Sequence, residues 1–381
     1  MLHLPIYLDN NATTPMDLRV LESMLPFFTK HFGNAASHSH TFGWEAEAAV
    51  AYAREQVANL INAEPNEIVF TSGATESDNL ALKGVFEMYA SKGNHIITVA
   101  TEHKAVLDSC AHLEKLGADV TYLDVNKEGI IDLKELERAI KPETILIAIM
   151  YANNETGVIQ PVKEIGKIAK KHGILFFSDA TQAVGKIPVN VTEDGIDLMS
   201  FSAHKIYGPK GTGALYVRRK NPRVRLTAQI DGGGHEKNMR SGTLNVPGIV
   251  GFGKACELCK IEMQKDADRL KILRDKLESA LLKFKNVSVN GNIRQRLPNV
   301  SNMSFQKMNS AEMMSKLSKN IALSSGSACT SATLSPSFVL KAMGLSDEMA
   351  LASLRFGLGR FTTEEEIDYC IGQIINLIDG Y

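Results

Sequence analysis

Between about residue 50 and residue 220 the chain repeats one pattern: a short, almost wholly apolar run, an amphipathic stretch, then another apolar run. Few folds accept this. A strand that is apolar at nearly every position must be covered on both faces, and an open parallel sheet achieves that by carrying helices above and below it. The runs are Ile68-Val-Phe, His95-Ile-Ile-Thr-Val, Val120-Thr-Tyr-Leu, Ile145-Leu-Ile-Ala-Ile-Met, Ile174-Leu-Phe-Phe, Leu198-Met-Ser-Phe and Ala214-Leu-Tyr-Val. Helices such as Glu47–Leu60 and Val162–His172 are expected before and between them. The pattern predicts an α/β fold with a mostly parallel seven-stranded sheet.

Composition narrows the function classes. The 381 residues, 44% hydrophobic and 22% charged, suffice for one large or two moderate domains with a sizeable core. A net charge of -1 gives no basic field for direct nucleic-acid binding, and the patches Arg218-Arg-Lys and Arg223-Val-Arg read as solvated surface. No apolar run reaches roughly 18 residues, and Met1-Leu-His-Leu-Pro-Ile-Tyr-Leu-Asp lacks the regions of a leader, so a cytoplasmic protein without membrane contact is expected. The five cysteines, Cys110, Cys256, Cys259, Cys329 and Cys370, are scattered and imply reduced thiols. Cys256 and Cys259 lack a second pair or nearby histidines and lie in a helical pattern, so no intrinsic metal site is expected.

From about Val246 to Lys285 the sequence reads as one long helix or two joined ones, bridging to a smaller α+β domain. That domain is expected to hold strands at Val287-Ser-Val, Val300-Ser-Asn-Met-Ser-Phe and Ser353-Leu-Arg-Phe, and helices at Ser310–Ser318 and Glu364–Leu377. The stretch Ser324-Ser-Gly-Ser-Ala-Cys-Thr-Ser-Ala-Thr-Leu-Ser-Pro-Ser is small and polar and reads as a mobile loop carrying one thiol, Cys329.

Chemically suggestive residues follow the strands, where ligands of open α/β sheets bind. Lys205, in Phe201-Ser-Ala-His-Lys, is placed to form a Schiff base with a carbonyl cofactor. Asp179 and Gln182 follow another apolar run. The three together meet the needs of pyridoxal 5'-phosphate, whose aldehyde takes a lysine, whose ring nitrogen needs a carboxylate and whose phenolate oxygen accepts a hydrogen bond. Thr71-Ser-Gly-Ala-Thr-Glu opens a helix after a strand, so the amides around Ala74 and Thr75 can hold a phosphate; capping by Thr75 with Glu76 is the competing reading. Ser202 and His204 can add donors. His103 can stack on a ring or carry protons, and Asn154 can hold a ligand oxygen or build the turn Asn153-Asn-Glu-Thr-Gly.

These segments, with Tyr7-Leu-Asp-Asn-Asn-Ala-Thr-Thr-Pro, Arg240-Ser-Gly-Thr, Ser324-Ser-Gly-Ser-Ala-Cys-Thr-Ser and Arg355-Phe-Gly-Leu-Gly-Arg, resemble the cysteine desulfurases over essentially the whole chain. Those are fold-type I pyridoxal-phosphate enzymes, and the form of the cysteine segment resembles the branch that supplies sulfur for iron–sulfur clusters and tRNA thiolation. The resemblance implies a large cofactor domain over residues 15–256 and a small one formed by 1–14 and 257–381. It implies that Lys205 anchors the cofactor, Asp179 pairs with its ring nitrogen, Gln182 with its phenolate oxygen, and His103 stacks on the ring. Thr75, Ser202 and His204 would hold the phosphate, joined by Thr243 from the other subunit of a homodimer.

The resemblance further implies that Arg355 and Asn154 bind the carboxylate of L-cysteine, while Cys329 takes the sulfur as a persulfide and L-alanine leaves. The sulfur would pass to an iron–sulfur scaffold protein and other acceptors, Cys329 meeting a metal only transiently during cluster assembly. The alternatives are another fold-type I reaction, such as aminotransfer or selenocysteine cleavage, which needs no Cys329, and a non-catalytic assembly platform. Three places depart from the family's usual pattern: Ala within Gly33-Asn-Ala-Ala-Ser where proline is common, Gly357 where serine is common, and Lys237-Asn238 for the usual Gln-Gly. The chain also stops at Tyr381, short of the tail with which longer members dock the scaffold, which puts the strength or mode of that partnership in question.

Overall fold

The computed structural model describes residues 2–325 and 335–380. The first strand, β1 (Ile6–Tyr7), belongs to a small sheet near the chain's end. The central sheet follows, built from β2 (Ile68–Thr71), β3 (His95–Val99), β4 (Asp119–Leu123), β5 (Thr144–Ala148), β6 (Leu175–Asp179), β7 (Leu198–Ser202) and β8 (Gly213–Val217). Its order is β2-β8-β7-β6-β5-β3-β4, parallel except for β8, which runs against both its neighbours. Each of the seven apolar runs forms a strand. The fourth, which forms β5, stops two residues short because, on the β3 side, the Glu102 carboxyl oxygen accepts from the Met150 amide and ends the ladder.

Helices cover both faces, as strands apolar at nearly every position require. On one face Thr41–Ile61, Val162–His172 and the start of Val246–Leu281 enclose Phe176, Met199, Phe201 and Phe252. On the other, Ala74–Met88 and Lys104–Glu114 pack Leu82, Val85, Val106 and Leu113 against Ile96, Leu146 and Phe177. Each such side chain contributes about 1.5–3 kcal/mol when fully buried. The helix expected from Glu47 begins earlier, at Thr41, since its cap is His40, whose Nδ1 accepts from Gly43 N at 3.2 Å. Val246–Leu281 is one continuous helix, and Cys256 and Cys259 are buried along it as its periodicity predicts. Arg218 is not solvated surface: its Nε lies 2.9 Å from Asp197 Oδ1, and its Nη2 donates to Ile196 O at 2.7 Å.

The remaining strands are β9 (Val287–Val289), β10 (Val300–Phe305), β11 (Ile321–Ala322) and β12 (Ser353–Gly357). β12-β10-β9 form an antiparallel sheet, while β1 pairs in parallel with β11. A third core joins Ile6 and Leu8 to Leu277, Leu354, Phe356 and Ile367. The helix Glu364–Asp379, which contributes Ile367, starts in a capping box formed by Thr363 and Glu366.

Candidate active site

The parallel strands and β2 all point their carboxyl ends at one edge of the sheet, and a cavity of about 520 Å³ opens there. That size suits a small ligand. Gly73 and Ala74 follow β2, His103 follows β3, Asn154 follows β5, Asp179 ends β6, and Ser202 ends β7 just before His204 and Lys205; all of them line the cavity. β8 starts at the same edge, close against the turn after β2. A Cβ on Gly213 would lie 2.6 Å from Gly73 Cα and 2.8 Å from Phe201 O, so a side chain there would force the turn away.

Of the other residues expected here, Thr75, Gln182 and Arg355 also line the cavity. Thr243 is exposed and does not line it, its expected place being the pocket of a second subunit. Cys329 lies outside the described residues. Thr75 does not cap its helix: the cap is Gly73, with no side-chain hydrogen bond, and Glu76 reaches back to the Ser72 amide at 2.8 Å. The first amides of the helix therefore face the cavity uncapped, as an anion requires.

Lys205 Nζ donates to the carbonyls of Asn11 and Ala12, both at 2.6 Å. His204 Nδ1 lies 3.1 Å from Thr13 Oγ1, and burial, with Lys205, Lys210 and Lys186 nearby, pushes this imidazole down to about 4. His103 Nδ1 accepts from Ala105 N at 3.2 Å, which leaves any proton of the neutral ring on Nε2. Burial lowers its pKa, with Asp179 opposing and Lys205 adding to the effect. The buried Asp179 accepts from Thr181 N at 2.9 Å and forms no ion pair among the described residues. Behind it, burial and then the charge of Asp179 push the carboxyls of Asp78 and Glu102 well above the usual range. Asp179 thus faces the cavity beside two acids whose neutral forms are favoured.

Several groups here carry no local sequence signal. Asn11, Ala12 and Thr13 form one wall, although they lie far in sequence from the strands that carry the other lining residues. Asp9 Oδ1 lies 2.8 Å from Arg355 Nη2, and Asn154 O accepts from Nη1 at 3.0 Å, so the arginine, 1% exposed, is fixed before any ligand arrives. The polar run Asp9-Asn-Asn-Ala-Thr-Thr after a short apolar segment is the one hint of this wall. Asn11 Oδ1 and Thr181 Oγ1 are buried in the lining with no hydrogen-bond partner among the described residues. With the uncapped helix and the buried carboxylate, they fit a polar ligand bearing an anionic group and a protonated nitrogen, as pyridoxal phosphate does.

Comparison with known proteins agrees with this geometry. The family model described as aminotransferase class-V matches residues 6–370. A protein named cysteine desulfurase IscS from Anaeromyxobacter sp. (strain Fw109-5) is 56% identical over 376 residues, 98% of this chain and 93% of that protein. One of the same name from Pectobacterium carotovorum subsp. carotovorum (strain PC1) is 58% identical over 370 residues, 97% of this chain and 91% of that protein. Among solved structures, one titled NifS-like protein superimposes with a TM-score of 0.92 at 39% identity, covering 99% of this chain and 100% of its own.

Proposed function

Since the chain belongs to the class-V aminotransferase family, among its cysteine desulfurases, we propose that it moves the sulfur of L-cysteine onto Cys329 as a persulfide and releases L-alanine, using pyridoxal 5'-phosphate. The observation that carries this reading is the meeting of the Lys205 amine, the Asp179 carboxylate and the Arg355 guanidinium in one cavity. Lys205 would anchor the cofactor, with Asp179 at its ring nitrogen, Gln182 at its phenolate oxygen and His103 against its ring. The amides of Ala74 and Thr75, with the side chains of Thr75, Ser202 and His204, would take the phosphate, joined by Thr243 of the partner subunit in a homodimer.

Bound there, the cofactor supplies a carbonyl for the substrate amine and a ring that accepts electrons from the substrate Cα. Arg355, preset by Asp9 and by the Asn154 carbonyl, receives the substrate carboxylate in a bidentate pair, with the Asn154 side chain beside it. Lys205 Nζ, once free, takes the Cα proton. The Cys329 thiolate then attacks the substrate sulfur: a sulfur–sulfur bond forms as the Cβ–sulfur bond breaks, and the electron pair left on carbon takes up a proton to give alanine. The persulfide passes to acceptors, an iron–sulfur scaffold protein among them. We place this chemistry in the reducing cytoplasm, in keeping with the four buried free cysteines among the described residues. We assign residues 15–256 to the cofactor domain and 1–14 with 257–381 to the domain that carries Cys329.

Mass spectrometry of the cofactor-loaded protein after cysteine treatment tests this. One added sulfur on the Cys329 peptide is expected, with none in C329S. Persulfide on another residue, or cysteine turnover to alanine undiminished in C329S, would overturn the assignment.

A further inference from the structure

Lys186 lies four residues beyond Gln182, behind the cavity, and the chemistry above gives it no task. Its amine donates to Gln182 Oε1 at 2.7 Å, its one hydrogen bond among the described residues. Gln182 Nε2 in turn donates to Asn11 O at 3.0 Å, the carbonyl that also accepts from Lys205 Nζ at 2.6 Å. A chain of polar contacts therefore runs from Lys186 through one amide and one carbonyl to the cavity lysine. Its polarity is set from both ends: the Asn11 carbonyl only accepts, Asn11 Nδ2 also donates to Gln182 Oε1 at 3.4 Å, and the charged Lys186 amine, which makes the shortest of these contacts to the amide, only donates. Were the Gln182 amide turned over, its Oε1 would face the Asn11 carbonyl oxygen, which is repulsive in any case, and its Nε2 would face the Lys186 amine, which is repulsive while the amine is charged.

We infer that Lys186 is a positioning residue, which locks the Gln182 amide so that the second proton of Nε2 is offered to a ligand oxygen in the cavity. The inference rests on the proposed function, in which that oxygen is the cofactor's phenolate. Around the amine, Lys205 and Arg355 add positive charge, while Tyr207 and Asp266 share with it the lining of a small adjoining cleft. Burial, reinforced by Lys205 and Arg355, lowers its pKa to about 7, so this lysine is held where a solvated one would be more stable. A lysine kept there against its own hydration suits a residue retained for what it orients.

The test uses cofactor-loaded wild type, K186M, K186R, Q182L and the double variant Q182L/K186M, reading the pH titration of the visible absorption band together with the thermal midpoint. A locked donor disfavours protonation of the bound chromophore, so K186M is expected to raise the apparent pKa of the band by roughly one unit, as losing one hydrogen bond to the charged form does. K186R, which keeps donor and charge, is expected to restore most of the wild-type value, and in the Q182L background most of the K186M shift disappears. If K186M does not fold, K186Q, whose neutral amide accepts either orientation of Gln182, is expected to shift the band in the same direction. A band that titrates as in wild type, whatever the midpoint, or a shift that persists in full without Gln182, overturns the inference. Absence of any visible band in loaded wild type refutes the proposed function instead, and the two failures are thereby distinct.

Discussion

At His204 burial and positive charge act together. The folded imidazole titrates at about 4, against 6.5 for an ordinary histidine. Between those values the unfolded chain holds a proton that the folded chain does not, so stability of the cofactor-free protein rises with pH across this window and is lost as pH falls through it. H204Q is expected to remove about 1–2 kcal/mol of that pH-dependent stability, given partial exposure to solvent. Urea unfolding at several pH values between 4 and 7 checks it, and equal slopes for both proteins would refute it. A second residue-scale case is Asn238, in a run of three left-handed residues with φ of 47° at Glu236, 60° at Lys237 and 63° at Asn238. Glycine is usual in the family at this position, and asparagine tolerates the conformation better than most side chains. N238G should stay within about half a kcal/mol of wild type, while N238V loses about 1–2 kcal/mol in chemical denaturation.

Among the elements, β12 explains a departure from the family pattern. Gly357 N donates to Leu8 O at 2.7 Å and Gly357 O accepts from Asn10 N at 3.0 Å, which clamps the first segment of the chain onto β12. A Cβ on Gly357 would lie 2.6 Å from Asn11 Oδ1 and 3.0 Å from Asn11 N, so the serine usual in the family does not fit beside this asparagine. G357S is expected to cost about 1–3 kcal/mol, as overpacking does, and to lower turnover, since the Asn11 carbonyl that holds Lys205 moves with it. N11A in that background should recover part of the lost thermal stability; no recovery would place the strain elsewhere. This strand also marks where the sequence stops being readable. β2, β3 and β5 to β8 are legible because burial on both faces leaves a local apolar run, the half-exposed edge strand β4 because Val, Thr and Tyr mark it, and Asp179, Ser202 and Lys205 because they sit at or just after the ends of such runs. The clamp on residues 8–11 is not, because β1 is two residues long and its partner strand β11 starts at Ile321. Lys186 is hidden for the same reason: its sequence neighbours specify a turn, and its meaning lies in contacts closed by the rest of the fold.

Across the whole molecule, Arg360 ties distant segments together. Its Nε lies 2.8 Å from Asp266 Oδ2, its Nη1 lies 3.2 Å from Asp17 Oδ2, and its guanidinium sits 4.5 Å from the centre of the Tyr207 ring, with 7% of the side chain exposed. R360M would leave Asp17 and Asp266 without this cation, at a cost of about 3 kcal/mol read as a lower urea midpoint; an unchanged midpoint would show the tie to be energetically idle. D266N on top of R360M should recover part of the loss, because it removes the charge that R360M strands, whereas Asp17 keeps its pair with Arg19 at 2.7 Å.

The pairing of β1 with β11 has a consequence in time. A ribosome making this chain emits Asn11 and Ala12 first and Lys205 much later, yet the strand that seats those two residues arrives only with Ile321 and Ala322, and the clamp only with Gly357. The central sheet can therefore form around its lysine while that wall of the cavity is still open. Residues made before the whole central sheet are thus among the last to reach their places, and a partly made chain has no finished pocket in which reactive sulfur could be released.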